Sequence, residues 1–325
     1  MRPAIRNILG AASVLLATTG SAMAQGDYPS RIIRVVVAWP AGSGVDVMIR
    51  QMGEALRAEL GQTLLVDNKG GASGVLGAEI VAAAPPDGYT LLFTSAALTM
   101  VSAMGIQTSY KVPDSFTPVV NIAWAPMILV AHPSLALKTP QDLVALVKSK
   151  EGKLVYANSG HGSPSHFAAE LFLTRSGVVA TGVPYRGSPQ AMLDVIAGRA
   201  TFLFTTSSTS LPQVQGGKVT ALAVASKKRL ALAPEIPTME EMGYKNFNAA
   251  YWNGLLGPKG LPQPIANRVA TAVNRVLARP EVQAIMAPAA NELDGRSDPQ
   301  SFAAMVKDDL ATWVGVVKTA NIKPN

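Results

Sequence analysis

Residues 33–61 read IRVVVAWPAGSGVDVMIRQMGEALRAELG. The opening run, Ile33-Arg34-Val35-Val36-Val37, is short and β-branched, as expected of a strand buried on both faces. From residue 47 the spacing becomes helical. Ile49, Met52, Leu56 and Leu60 share one stripe, Arg50, Glu54, Arg57 and Glu59 lie off it, and Gly61 provides a stop. Between the two stands Pro40-Ala41-Gly42-Ser43-Gly44-Val45-Asp46, small and polar. A strand that feeds a helix through such a loop is the repeating unit of α/β proteins.

The same grammar extends along the chain. Leu64-Leu65-Val66, Thr90-Leu91-Leu92-Phe93, Met127-Ile128-Leu129-Val130, Leu154-Val155-Tyr156 and residues 220–224 read as further buried strands. Residues 141–150, 166–176, 190–197, 265–278 and 302–319 read as helices. This alternation predicts parallel, doubly wound sheets with helices on both faces. Strand-like segments at 127–130 and 249–256 follow stretches poor in helix signal, the second after the turn-rich residues 234–248. Two crossings at those points would make one lobe from residues 25–126 plus 248–325 and another from 127–247, joined by a hinge, with ligand in the cleft between them.

Composition narrows the chemistry. The chain has 325 residues, 48% hydrophobic and only 15% charged, and no cysteine. Disulfides, thiolate metal cages, iron–sulfur clusters and Cys nucleophiles are therefore excluded. Residues 1–7 carry Arg2 and Arg6, residues 8–19 are largely apolar, and Ala22-Met23-Ala24 is a small-x-small cleavage site. These parts form a secretory signal with cleavage expected after Ala24. The apolar run is shorter than the ~20 residues that span a bilayer. Without a cysteine to carry lipid, the expected product is a soluble, unlipidated periplasmic protein, with 26 basic groups against 21 acidic ones. The Lys and Arg residues are scattered without interleaved aromatics, so nucleic acid is not an expected partner.

Ligands in open α/β sheets bind beyond the carboxyl ends of the strands, where helix N-termini expose unpaired N–H groups. Besides the 40–46 loop, the segments at those positions are Thr94-Ser95-Ala96, residues 157–165, Tyr185-Arg186-Gly187-Ser188-Pro189 and Thr205-Thr206-Ser207-Ser208. All are small and polar, with Asp46 and Arg186 their only charges, and suit an anion held without a basic cluster. Each alone is also a helix start: Ser43-x-x-Asp46 is a capping pattern, and Ser163-Pro164 and Ser188-Pro189 place a cap before proline. Their recurrence in successive loops is what favours binding.

Catalytic signatures are missing. The chain contains no G-x-S-x-G, H-E-x-x-H or G-x-x-x-x-G-K-[ST], and Val47 stands where a dinucleotide fingerprint needs its third glycine. His132, before Pro133, reads as structural. His161 and His166 share a loop and are a conceivable base or metal pair, but their spacing matches no helical metal motif and no carboxylate is expected beside them, so neither metal nor cofactor is expected. Trp39, Trp124 and Trp252 end or interrupt strands, where an indole either lines a cleft or packs between lobes; Trp313 reads as core.

Taken together, Tyr28-Pro29, Gly42-x-x-x-Asp46, residues 67–74 with Gly77-Ala78, residues 86–92, Tyr156-Ala157, Gly160-x-Gly162, Ser165-His166, residues 183–188, Gly217-Lys218, residues 221–224, Pro237-Thr238 and Trp252-x-Gly254 give the chain a recognisable profile. It resembles the Bug family, the TctC-like periplasmic solute receptors of tripartite tricarboxylate transporters, over nearly all of the mature chain. The resemblance implies a type II-like periplasmic-binding-protein fold, two hinged α/β lobes closing on a small carboxylate-bearing solute. It also implies delivery to a membrane permease by a monomeric, non-enzymatic receptor. Carried onto matching positions, it nominates Ser43, Gly44, Asp46, Thr94, Ser95, Ser159, Gly160, Ser163 and Ser165, with His166, Tyr185 and Thr205 in support. The chain departs from the family where paired glycines become Gly42-Ser43, where a glycine becomes Ser73, and where Phe-Asp-Asn becomes Phe204-Thr205-Thr206. Thr205 in place of an acid weakens the case for an amino-acid ligand and leaves di- or tricarboxylates and aromatic acids open. Two other functions stay in view: a receptor signalling to a membrane sensor, and an exported enzyme using His161 or His166 as general base.

Overall fold

The computed structural model describes residues 28–150, 153–289, 291–320 and 322. The expected signal segment, residues 1–24, lies outside the described residues. The first part of the chain builds β1 (Ile33–Val37), α1 (Gly44–Leu60), β2 (Leu64–Asn68), α2 (Val75–Ala82), β3 (Thr90–Ser95), α3 (Ala97–Ala103) and β4 (Phe116–Ala125). Across Pro126 a second series begins: β5 (Met127–Ala131), α4 (Pro140–Ser149), β6 (Val155–Asn158), α5 (Pro164–Ser176), β7 (Thr181–Pro184), α6 (Ser188–Ile196), β8 (Phe202–Thr206), α7 (Ser207–Gln215) and β9 (Thr220–Val224). The chain then adds β10 (Tyr251–Pro258), α8 (Gln263–Leu277), α9 (Pro280–Met286), β11 (Glu292–Leu293) and α10 (Pro299–Ala320). Two sheets result, in the orders β11-β4-β10-β3-β1-β2 and β7-β6-β8-β5-β9.

The α/β class stands, but the sheets are mixed rather than wholly parallel. β1 pairs parallel with β2 and β3, whereas β10 runs antiparallel to β3 and β4. In the second sheet β5 is antiparallel to β8 and β9. Besides the two-residue edge β11, antiparallel to β4, the strands that run against their sheets are β5 and β10, which enter from the other sheet. Such a strand arrives without the crossover helix that keeps consecutive strands parallel. Nor is every strand buried on both faces: β2 is an edge, and its Leu65 stays exposed.

Helix starts differ in a way that matters for the site. α1, α5 and α6 begin at Gly44, Pro164 and Ser188, two or three residues ahead of their apolar stripes. A first turn made of a cap, a proline and small residues carries no apolar period, yet is favourable there because its N–H groups have no intrahelical acceptor. The short helices α2, α3 and α7 carry little stripe of any kind, and α7 contains Pro212.

One apolar cluster is continuous across both sheets, joining Val35, Phe93 and Trp252 of the first to Leu129 and Phe204 of the second. The helix α10 helps bridge them. Its Trp313 meets Phe167 of α5 edge-on at 5.2 Å. Its Asp309 accepts hydrogen bonds from Trp252 Nε1 at 2.9 Å, Trp313 Nε1 at 2.8 Å and the Thr99 hydroxyl. Trp252 is therefore core, Trp124 is half-buried beside a separate surface pocket, and of the three strand-end indoles only Trp39 faces the space between the sheets.

Candidate functional site

Four helices direct their N-termini at one cavity of about 40 Å³ between the sheets. Its wall holds Ser43, Gly44 and Val45 from α1, Pro164 and Ser165 from α5, Gly187 and Ser188 from α6, and Thr206 and Ser208 from α7. Each of these first turns presents N–H groups without an intrahelical acceptor and the positive end of a helix dipole. Trp39 Nε1 and Asn253 Oδ1, also on residues of the wall, are buried without a protein partner, a neutral donor and acceptor within the same site. Among the described residues no lining side chain carries a charge.

On the first-sheet side the entry to α1 is fastened from behind. Ser43 caps the helix, its Oγ accepting from Asp46 N at 3.3 Å. The Asp46 carboxylate accepts from Gly42 N at 2.8 Å, Arg50 Nε at 2.8 Å and Asn68 Nδ2 at 2.9 Å. Burial pushes the Asp46 carboxyl up, but the Gly42, Asn68 and Arg50 donors outweigh it and hold the group below its ordinary range. Gly42, at φ +80°, takes a left-handed conformation that suits glycine. Gly44 brings the helix against the second sheet so closely that a Cβ there would lie 3.2 Å from Ser208 Oγ.

On the second-sheet side Asn158 Oδ1 accepts from Gly160 N at 3.0 Å and so shapes the loop after β6. Ser163 caps α5 by accepting from His166 N at 3.3 Å. The Ser165 hydroxyl is bonded to Phe204 O. The Thr206 hydroxyl lies 3.0 Å from Ser208 Oγ and 3.1 Å from Thr209 Oγ1, a hydroxyl cluster at the start of α7.

The cavity continues into two wider spaces. One of about 650 Å³ shares Trp39 and Ser159 with it and adds Gly160, His161, Tyr185 and Arg186; one of about 470 Å³ shares Ser43 and Gly187 and again includes Arg186. Of the residues nominated from the sequence, Ser43, Gly44, Ser159 and Ser165 line the small cavity, and Gly160 and Tyr185 the larger space. The other six do not reach the walls. Asp46, Ser163 and His166 support the loops from behind, while Thr94 and Ser95 are buried at the end of β3, with Ser95 Oγ accepting from Ala97 N at 3.3 Å. Thr205 is fully buried and its hydroxyl has no protein partner, whereas its neighbour Thr206 lines the cavity. Strand alternation turns adjacent side chains to opposite faces, so an assignment one residue off misses the site. Sequence reasoning also passed over Met48, Met127, Tyr251, Asn253 and Asn291. The strand ends of β5 and β10 were visible as segments, but nothing local indicated that they meet the α1 loop.

The histidine pair lies to one side. The rings of His161 and His166 are 4.6 Å apart, and His166 Nδ1 accepts from Gly162 N at 3.3 Å. Burial, and next the His161 charge, push His166 down to about 4. Contrary to the expectation that no carboxylate stands near, Glu170 Oε1 is 4.0 Å from His166 Nε2 and accepts from the Tyr156 hydroxyl. One helical turn joins His166 to Glu170, a neighbourhood legible from the i, i+4 spacing. Burial raises the Glu170 carboxyl. Among the described residues no three His, Asp or Glu side chains gather closely enough to hold a metal. The cavity serine nearest in sequence, Ser165, is bonded to a backbone carbonyl and not to an imidazole.

Residues 48–322 match the pattern of the tripartite tricarboxylate transporter family receptor. The chain belongs to that family. As a receptor of this type it is 32% identical over 321 residues to Protein BugT of Bordetella pertussis, a match covering 97% of this chain and 98% of BugT. Its fold superposes on the periplasmic binding protein BugD with a TM-score of 0.85 at 32% identity, covering 92% of this chain and all of that one. It superposes equally well, at 0.85 and 31% identity over 92% of this chain and all of the other, on Rpa4515 of R. palustris, solved with adipate. Family members are periplasmic binding receptors and not enzymes, which removes the general-base reading of His161 and His166.

Proposed function

We propose that this receptor captures a small carboxylate-bearing metabolite in the cavity between its two sheets and hands it to the permease of a tripartite tricarboxylate transporter. The convergence of four helix N-termini on an uncharged cavity carries this reading. Such a site supplies amide donors and aligned dipoles that favour an anion without a neutralising cation. The unpartnered Trp39 indole adds another donor. The adipate bound by the R. palustris relative fits the same chemistry.

In this reading residues 25–126 plus 248–325 form one lobe and 127–247 the other, with Pro126 and the 225–250 return as hinge. Ligand favours the state in which the lobes meet, because only that state brings α1 and α7 to the same anion. The receptor is exported, cleaved after Ala24, unlipidated and monomeric. Ser43, Gly44, Ser159 and Ser165 contact the carboxylate; Gly160 and Tyr185 border the rest of the ligand; Asp46, Thr94, Ser95, Ser163, His166 and Thr205 hold the loops.

A thermal-shift panel of mono-, di-, tri- and aromatic carboxylates tests the proposal. Ligand at a hundred times its dissociation constant stabilises a receptor by about 2.7 kcal/mol. At least one carboxylate is expected to raise the melting temperature and to be recovered unchanged. A panel with no stabilising carboxylate, or a ligand returned chemically altered, overturns the reading.

A further inference from the structure

Among the described residues, the walls of the small cavity and its two wider extensions hold one Lys or Arg, Arg186, and no Asp or Glu. Arg186 borders both extensions, and the next two residues, Gly187 and Ser188, line the small cavity. It is exposed, and no carboxylate among the described residues pairs with it. The acid nearby on α6, Asp194, is already occupied: Arg199 Nε donates to it at 2.9 Å and the Tyr185 hydroxyl donates to its other oxygen. The backbone of Arg186 is held in place, its N–H donating to Gln190 Oε1 at 3.3 Å.

We infer that Arg186 receives a second carboxylate at the far end of the ligand, so that the receptor selects dicarboxylates lacking an ammonium group. The inference rests on the carboxylate-receptor reading above and specifies its substrate class. The helix N-termini accommodate the first carboxylate without a cation, which leaves Arg186, the one Lys or Arg of these walls among the described residues, for the other end. A guanidinium presents a planar fork that matches a carboxylate with two parallel hydrogen bonds. An α-ammonium finds no acid anywhere on these walls, so enclosing it would strip its water with no counter-charge in return. The other titratable side chains of these walls among the described residues are His161 and Tyr185 on the 650 Å³ side and Tyr251 of the small cavity, none of them a carboxylate.

Calorimetry on the full mature chain, with succinate, glutarate and adipate set against butyrate, pentanoate, hexanoate and glutamate, tests the assignment. The best dicarboxylate is expected to bind about tenfold or more tightly than the monocarboxylate of equal length and than glutamate. Arg186→Gln closes that gap by weakening the dicarboxylate about tenfold while leaving the monocarboxylate within about twofold, and Arg186→Lys, a point charge without the fork, falls between. Equal losses for mono- and dicarboxylates, or glutamate binding as tightly as glutarate, overturn the role of Arg186 and leave the receptor reading intact. If the wild-type chain binds none of these acids, the receptor reading itself fails, and this inference with it.

Discussion

The hydroxyl of Ser73, in the turn after β2, donates to the carbonyl of His161, in the loop after β6. This bond ties the two sheets together beside the cavity, and Ser73 makes it from a left-handed conformation at φ +54°. The facing residue is Gly160, where a Cβ would stand 2.9 Å from Ser73 Oγ. Ser73→Ala is therefore expected to speed ligand release and weaken affinity about fivefold, the worth of one net hydrogen bond of about 1 kcal/mol. Stopped-flow dissociation checks it; unchanged release at unchanged affinity would mean the bond plays no part in closure.

Gly44→Ala separates folding from closing. The residue opens α1, where alanine favours the helix, yet the added methyl faces Ser208 Oγ at 3.2 Å across the cleft. The melting temperature without ligand should hold or rise, while affinity falls by about 1 kcal/mol or more from overpacking. The double variant Gly44→Ala, Ser208→Ala removes the obstructing oxygen and is expected to recover most of the loss. Titration of the two variants side by side decides whether this approach belongs to the bound state.

Asp46→Asn is expected to cost about 2 kcal/mol of stability at pH 7, since the carboxylate accepts three charge-assisted or backbone hydrogen bonds in a buried position. The sign with pH follows from its depressed pKa. A carboxyl held below its unfolded value stabilises the fold above that value, and the contribution disappears as pH falls through the folded pKa. Urea denaturation from pH 7 to pH 3 should show the gap between wild type and variant closing toward the acid end. A gap independent of pH would assign the loss to packing.

His166 behaves in the opposite chemical sense with the same direction. Held neutral down to about 4, it refuses a proton that the unfolded chain accepts near its ordinary value of 6.5. Stability therefore declines on acidification between those values, by at most about 1.4 kcal/mol per pH unit for the one group. Glu170, raised by burial, works against this trend by favouring the fold when protonated. His166→Gln should flatten the wild-type decline between pH 6.5 and 4.5; an unaltered slope would trace it to another group.

The site shows where reading a sequence succeeds and stops. Ser43 and Asp46 are three residues apart, the cap and the first turn of α1, and both were nominated; the first lines the cavity and the second anchors the preceding loop from behind. Thr205 and Thr206 are adjacent, and the hydroxyl that joins the cavity is the one not nominated. Asn253 and Met127 belong to strands that were visible, yet their place in the wall depends on β10 and β5 entering their sheets antiparallel.

Apolar periodicity, proline and glycine punctuation and the want of cysteine are local properties, so the chain's own order of residues determined the α/β class, the loops at strand ends and the chemistry that is missing. Convergence is not local. Whether the first turns of α1, α5, α6 and α7 point at one place or four depends on sheet order, on two strands that change sheets, and on Gly44 and Ser208 standing in contact across the gap. Only the tertiary structure decided that. The energy selecting this arrangement comes from apolar contacts between residues more than a hundred positions apart, such as Phe167 and Trp313, which leave no pattern within a short stretch of sequence.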